Sequence, residues 1–107
     1  MIPHRCPSFF SIDPAIIAEI WSVIQERAEN PSGESYTSRL LADAKGIDKV
    51  LEKVGEESTE FILAAKNGVK ERTVEEAADL LFHLLVALRA AGIDLSEVMQ
   101  ELKRRRK

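Results

Sequence analysis

Residues 53–68, KVGEESTEFILAAKNG, are followed after a short spacer by residues 75–88, EEAADLLFHLLVAL. In the first stretch Val54, Ser58, Phe61, Ile62 and Ala65 recur at helical spacing, and in the second the run Leu80 to Leu88 is apolar except for His83. Period and length both predict two consecutive helices. Acids interrupt each apolar stripe: Glu56, Glu57 and Glu60 in one, Glu76 and Asp79 in the other. Consecutive helices with a short connection pack antiparallel, so the two acidic faces are placed to meet.

Outward from this pair the chain reads as helix throughout. Asp13-Pro14 has the chemistry of a helix start, and Ile16, Ile17, Ile20, Trp21 and Ile24 mark one buried face as far as about Asn30-Pro31-Ser32-Gly33. A short helix is predicted from about Thr37 to Ala44, burying Leu40 and Leu41 and closed by Gly46. The third runs from Ile47 to about Asn67 with Gly55 inside it, and Gly68 is its expected C-terminal stop. Thr73, three residues before Glu76, has capping-box spacing for a fourth helix that ends at Ala91-Gly92. Asp94 or Ser96 opens a fifth, with Leu95, Val98, Met99 and Leu102 on its apolar face.

The expected fold is therefore all-α, a bundle of about five helices in one domain spanning residues 13–107, preceded by a loosely structured extension over residues 1–12. A helix as apolar all round as Leu80–Leu88 needs cover on more than one side. One small bundle supplies too little, so the core is expected to be completed by homo-oligomerisation, in a homodimer or higher assembly.

Composition narrows the functional classes. A net charge of -3 and a basic run confined to Lys103–Lys107 argue against nucleic-acid binding, since that run suits the negative end of a helix dipole. No apolar run reaches the ~20 residues of a membrane span. Cys6, the single cysteine, rules out an intramolecular disulfide, and a reducing cytoplasm is the expected compartment.

The acids carry the chemical signal. At 100° per residue Lys49, Lys53, Glu56, Glu57 and Glu60 share an arc of roughly 100°, and Glu76, Asp79 and His83 one of roughly 60°. Glu57 falls between Val54 and Phe61, a slot that packing alone would give to Leu or Ala. Isolated i, i+3 acids are usually solvated, but Glu57/Glu60 and Glu76/Asp79 facing each other on adjacent helices repel unless a proton or cation joins them. A divalent cation is the simplest answer. An all-oxygen set favours Mg²⁺, with Mn²⁺ as a substitute, over Zn²⁺. His83 is read as a hydrogen-bonded residue behind the ligands. Lys49 and Lys53 share the acidic face, and Arg39, Lys45 and Lys66 near the helix ends are candidates for phosphate oxygens.

At these residues the chain resembles the all-α nucleoside-triphosphate pyrophosphatases of the MazG-like superfamily. Within it, SYTSRLL (35–41), the two stretches quoted first and DLSEVMQELKRR (94–105) are similar to the phosphoribosyl-ATP pyrophosphatases of histidine biosynthesis. The likeness covers about residues 15 to 105; residues 1 to 13 match nothing in that family, and Phe82 stands where it often has tyrosine. The resemblance implies Mg²⁺-dependent hydrolysis of phosphoribosyl-ATP to phosphoribosyl-AMP and pyrophosphate. It implies Glu57, Glu60, Glu76 and Asp79 as metal ligands, with Glu56 beside them. Phosphoanhydride cleavage needs charge neutralisation and a positioned water rather than a covalent nucleophile, so Glu56 or Glu57 is expected to orient or deprotonate that water. Ser35, Tyr36 and Thr37 offer hydroxyls before a helix start, suited to a phosphate or a ribose. Two other readings use the same acids: a pyrophosphatase that clears ordinary or damaged nucleotides, and a metal-binding helical oligomerisation module without turnover.

Overall fold

The structure, a computed structural model, describes residues 12–106. Five helices follow one another: α1 (Ala15–Glu29), α2 (Tyr36–Leu41), α3 (Ile47–Lys66), α4 (Lys70–Ala90) and α5 (Leu95–Arg104). No strand occurs among the described residues, and none of the helices is long and apolar enough to cross a membrane. The expected extension lies, apart from Ile12, outside the described residues.

The frame is the α3–α4 hairpin, and its tight connection has a clear backbone cause. Gly68 adopts φ +71°, its N–H reaches Ala65 O at 3.1 Å, and the Val69 N–H reaches Ala64 O at 3.3 Å. That crossed pair is the Schellman arrangement, which a left-handed glycine closes without Cβ strain. Gly92 repeats it at the end of α4, with φ +74° and the Ile93 N–H on Leu88 O at 2.9 Å. Asp94 and Glu97 then form a complete capping box at the start of α5.

Three predicted boundaries move. Thr73 does not cap α4: the helix begins a turn earlier at Lys70, and the Thr73 hydroxyl donates to Val69 O at 2.8 Å from inside the first turn. The Schellman turn delivers the chain in helical register directly after Val69, so no capping side chain is required. Pro14 occupies the cap position of α1 in place of Asp13, whose Oδ1 still accepts from the Ala15 N–H at 3.1 Å. Helix α2 stops at Leu41 rather than Ala44, because Asp43 turns the chain back by accepting from Lys45 N–H at 2.9 Å. Gly55 is accommodated in α3 without a break.

The core joins four helices and the start of the fifth. Ile24 from α1, Leu40 from α2, Val50 from α3, Leu85 and Val86 from α4 and Leu95 from α5 are buried together, with Trp21, Phe82 and Val98 packed against them. Helix α2 is tied to α1 by the Ser38 hydroxyl, which donates to Arg27 O at 2.7 Å. Much apolar surface stays outside: Ile16, Leu51, Ile62, Leu63, Val74, Leu81, Leu84, Met99 and Leu102 are all exposed. Ile16, Ile17, Ile20, Ala78, Leu81, Phe82 and Leu85 line an apolar groove of about 250 Å³ between α1 and α4.

Candidate active site

Antiparallel packing of α3 on α4 brings together three of the four predicted ligands. Glu57, Glu76 and Asp79 each place a carboxylate oxygen within 4.8 Å of the others. That spread suits one cation, since oxygens about 2.0–2.6 Å from a shared ion stand only a few ångströms apart. Glu57 and Glu76 are buried, at 6% and 4% exposure, while Asp79 opens to solvent. Glu60, one turn further along α3, abuts Glu76 at the outer edge and stays outside this trio.

Glu76 shows what the site demands. Its Oε2 accepts from Arg72 Nη2 at 2.7 Å, but its Oε1 is buried without any partner. Burial pushes the Glu76 carboxyl up, the adjacent Glu60 and Asp79 push it further, and Arg72 opposes them. A buried acceptor with no donor, beside two more carboxylates, fits a hard cation. Arg72 is absent from the sequence-based candidates: its i, i+4 spacing to Glu76 is readable, but the burial of Glu76 that gives the pair its weight is not.

The basic residues divide into those that reach the site and those that do not. Lys53 Nζ lies 3.2 Å from Glu56 Oε1 and 3.7 Å from Glu57 Oε2, bridging the exposed and the buried acid. The hydrogen bond to Glu56 holds its ammonium above the ordinary lysine value despite the cost of burial. Lys53, Lys49 and Arg39 line a cavity of about 320 Å³ with Tyr36, Leu40 and Asp43. Arg39 also donates to Gly33 O at 2.9 Å. Lys45 pairs instead with Glu52 at 3.0 Å, and in the basic tail Arg104 and Arg105 pair with Glu101.

The segment before α2 is split in the same way. Ser35 Oγ accepts from the Ser38 N–H at 3.1 Å, which makes it the helix cap. Thr37 is buried, whereas Tyr36 is 43% exposed and faces the cavity. Burial raises the Tyr36 phenol, with Glu57, Glu56 and Asp79 adding to the effect and Lys53 opposing it. His83 is buried behind Tyr36: its Nδ1 lies 2.7 Å from the Asp79 backbone oxygen and its Nε2 2.8 Å from the Tyr36 hydroxyl. His83 thus meets the acidic trio only through the main chain of Asp79.

The family model for phosphoribosyl-ATP pyrophosphohydrolase matches residues 17–106, all of α3, α4 and α5 and nearly all of α1. The chain belongs to the phosphoribosyl-ATP pyrophosphohydrolase family. It is 73% identical over 96 residues to the phosphoribosyl-ATP pyrophosphatase of Methanoregula boonei, covering 90% of this chain and 92% of that protein. It is 68% identical to the phosphoribosyl-ATP pyrophosphatase of Methanoculleus marisnigri, covering 86% and 95%. Against that of Methanosphaerula palustris the identity is 62%, covering 89% and 96%. The match takes in every residue of the acidic trio and of the basic cavity.

Proposed function

We propose that this protein hydrolyses phosphoribosyl-ATP to phosphoribosyl-AMP and pyrophosphate, with Mg²⁺ held by Glu57, Glu76 and Asp79 and with Glu60 completing the set from its outer edge. Family membership supports the reaction. The single observation that carries the metal reading is the orphaned Glu76 Oε1 within the carboxylate trio. Mn²⁺ is the expected substitute, since it accepts the same oxygen donors.

A bound divalent cation would supply charge neutralisation on the phosphoanhydride oxygens. This chain's own residues supply the rest. Lys53, Lys49 and Arg39 bind phosphate oxygens in the cavity between α2 and α3 and hold the triphosphate in line. Glu57 belongs to the ligand set, so Glu56 is the carboxylate left to take the proton from the attacking water. The water oxygen bonds to phosphorus, the α–β bridging bond breaks, and its electron pair leaves with pyrophosphate. The cap at Ser35 and the buried Thr37 hold Tyr36 at the cavity mouth, and His83 supports Tyr36 from behind.

The proposal extends to assembly and organisation. Residues 13–107 are one pyrophosphohydrolase domain with residues 1–12 appended, and it works in the cytoplasm. Homodimerisation through the α1–α4 groove and the exposed Leu81 and Leu84 would cover the apolar face.

The deciding experiment follows pyrophosphate release from phosphoribosyl-ATP and from ATP, GTP and dUTP, with Mg²⁺ and with chelator. The expected result is metal-dependent turnover of phosphoribosyl-ATP at least ~100-fold faster than of the common triphosphates, a gap of about 3 kcal/mol in transition-state binding. Faster cleavage of the common triphosphates would assign a nucleotide-clearing enzyme, and metal binding without turnover an oligomerisation module.

A further inference from the structure

His83 and Tyr36 are joined by a hydrogen bond whose direction is set by a third group. The Asp79 backbone oxygen, 2.7 Å from His83 Nδ1, has only lone pairs to offer, so Nδ1 carries the proton. In the neutral ring Nε2 is then an acceptor, and the Tyr36 hydroxyl at 2.8 Å must donate to it. The phenol has one proton. Once that is committed to His83, the Tyr36 oxygen can only accept.

This oxygen belongs to a half-exposed side chain lining the cavity that also holds Arg39, Lys49 and Lys53. Near neutral pH the oxygens of a phosphoanhydride are acceptors too, and two acceptors facing each other repel. A phosphate therefore goes to the cations, and the position beside Tyr36 calls for a donor. On a nucleotide bearing ribose, a sugar hydroxyl meets that need.

We infer that Tyr36 is a specificity residue that accepts a hydrogen bond from a ribose hydroxyl of the substrate, and that His83 is the positioning residue that imposes this polarity. The inference rests on the proposed reaction for its substrate but not for its geometry. It also decides between the two ligands, phosphate and ribose, that hydroxyls before α2 suggest. The acid helix and the sugar contact are linked, because the carbonyl fixing His83 belongs to Asp79.

The test uses the full chain, phosphoribosyl-ATP, and analogues of it each lacking one ribose hydroxyl. For wild type, one analogue should lose about 10-fold in kcat/KM, the value of one part-exposed hydrogen bond. Tyr36→Phe should turn over the parent compound at that analogue's reduced efficiency and no longer distinguish the pair. His83→Asn keeps a donor for the Asp79 oxygen and removes Nε2, and should blunt the same discrimination with the helical spectrum unchanged. Long-range ¹H–¹⁵N spectra should show His83 as the Nδ1–H tautomer, with the Nε2 shift moving in Tyr36→Phe. Full discrimination retained by Tyr36→Phe, no wild-type preference for any hydroxyl, or His83 found as the Nε2–H tautomer or as imidazolium would each overturn the inference. Absent turnover of the parent compound would count against the proposed reaction, and the tautomer measurement would still judge the geometry.

Discussion

Arg72 and Glu76 sit one helical turn apart on α4, with Nη2 2.7 Å from Oε2, and this pair leaves the other Glu76 oxygen buried and alone. The guanidinium orients the carboxylate so that its free oxygen is available to the trio with Glu57 and Asp79. In the proposed metal site one helix thus provides both a ligand and the group that aims it.

Glu76→Gln should keep the helical spectrum and lose turnover by about 100-fold or more, because an amide is a poor ligand for a hard cation. Mg²⁺ should raise the Tm of the wild type and leave that of this variant unchanged. Arg72→Met should lower the Tm of chelator-treated protein more than that of Mg²⁺-loaded protein, since only the former leaves the buried Glu76 carboxylate without its counter-charge. Equal losses in the two conditions would remove the orienting role.

Lys53→Met retains the apolar stem and removes the charge that lies between Glu56 and Glu57. Its ammonium is held above the ordinary lysine value by Glu56, so it stays charged through neutral pH. Steady-state kinetics should show KM raised about 10-fold with a smaller fall in kcat, the pattern of a lost phosphate contact. A fall confined to kcat would place Lys53 in the chemical step instead.

Asp94 accepts from the Ser96 hydroxyl and from its N–H, and these bonds hold its carboxyl below the ordinary aspartate value. The unfolded chain therefore binds this proton at a higher pH than the folded one does. The stability it contributes is fully present above the usual aspartate range and is lost as pH falls through its lowered value. Asp94→Ala should lower Tm by roughly a few degrees at pH 7 and by less near pH 3, measured by circular dichroism. An equal drop at both pH values would separate the cap from this titration.

Leu81 is 51% exposed on the apolar groove between α1 and α4. Leu81→Arg should convert the proposed dimer to monomer, as read by light scattering at micromolar concentration, with helix content preserved. A monomeric wild type would refute the assembly directly.

The legible part of the fold was the periodic part. Ile16 through Ile24, Val50 through Phe61 and Leu80 through Leu88 announce helices, because a buried face must repeat every 3.6 residues. Gly68 and Gly92 announce their ends, because both Schellman turns need a left-handed residue. Thr73 misled, since capping-box spacing recurs inside helices and cannot show that the preceding turn has already set the register. In the site, Glu57, Glu60, Glu76 and Asp79 were legible as acids interrupting apolar stripes, and spacing could not show that Glu60 stays outside the trio. Arg72 was passed over because its importance lies in the depth of its partner.

From its sequence alone this protein is determined to be helical, to carry two acidic faces on consecutive helices and to belong among enzymes that cleave phosphoanhydrides. Spacing along a helix fixes the direction of a side chain and with it the two acidic faces, while the place among those enzymes rests on the resemblance of the quoted segments. Tertiary structure alone decided that Glu57, Glu76 and Asp79 converge while Glu60 stands at the edge, that Lys53 bridges two acids, and that His83 meets the Tyr36 hydroxyl. Those outcomes depend on depth and on what lies opposite. Both are set when α3, α4 and α2 pack against one another, where a carboxylate or an imidazole exchanges water for a specific neighbour.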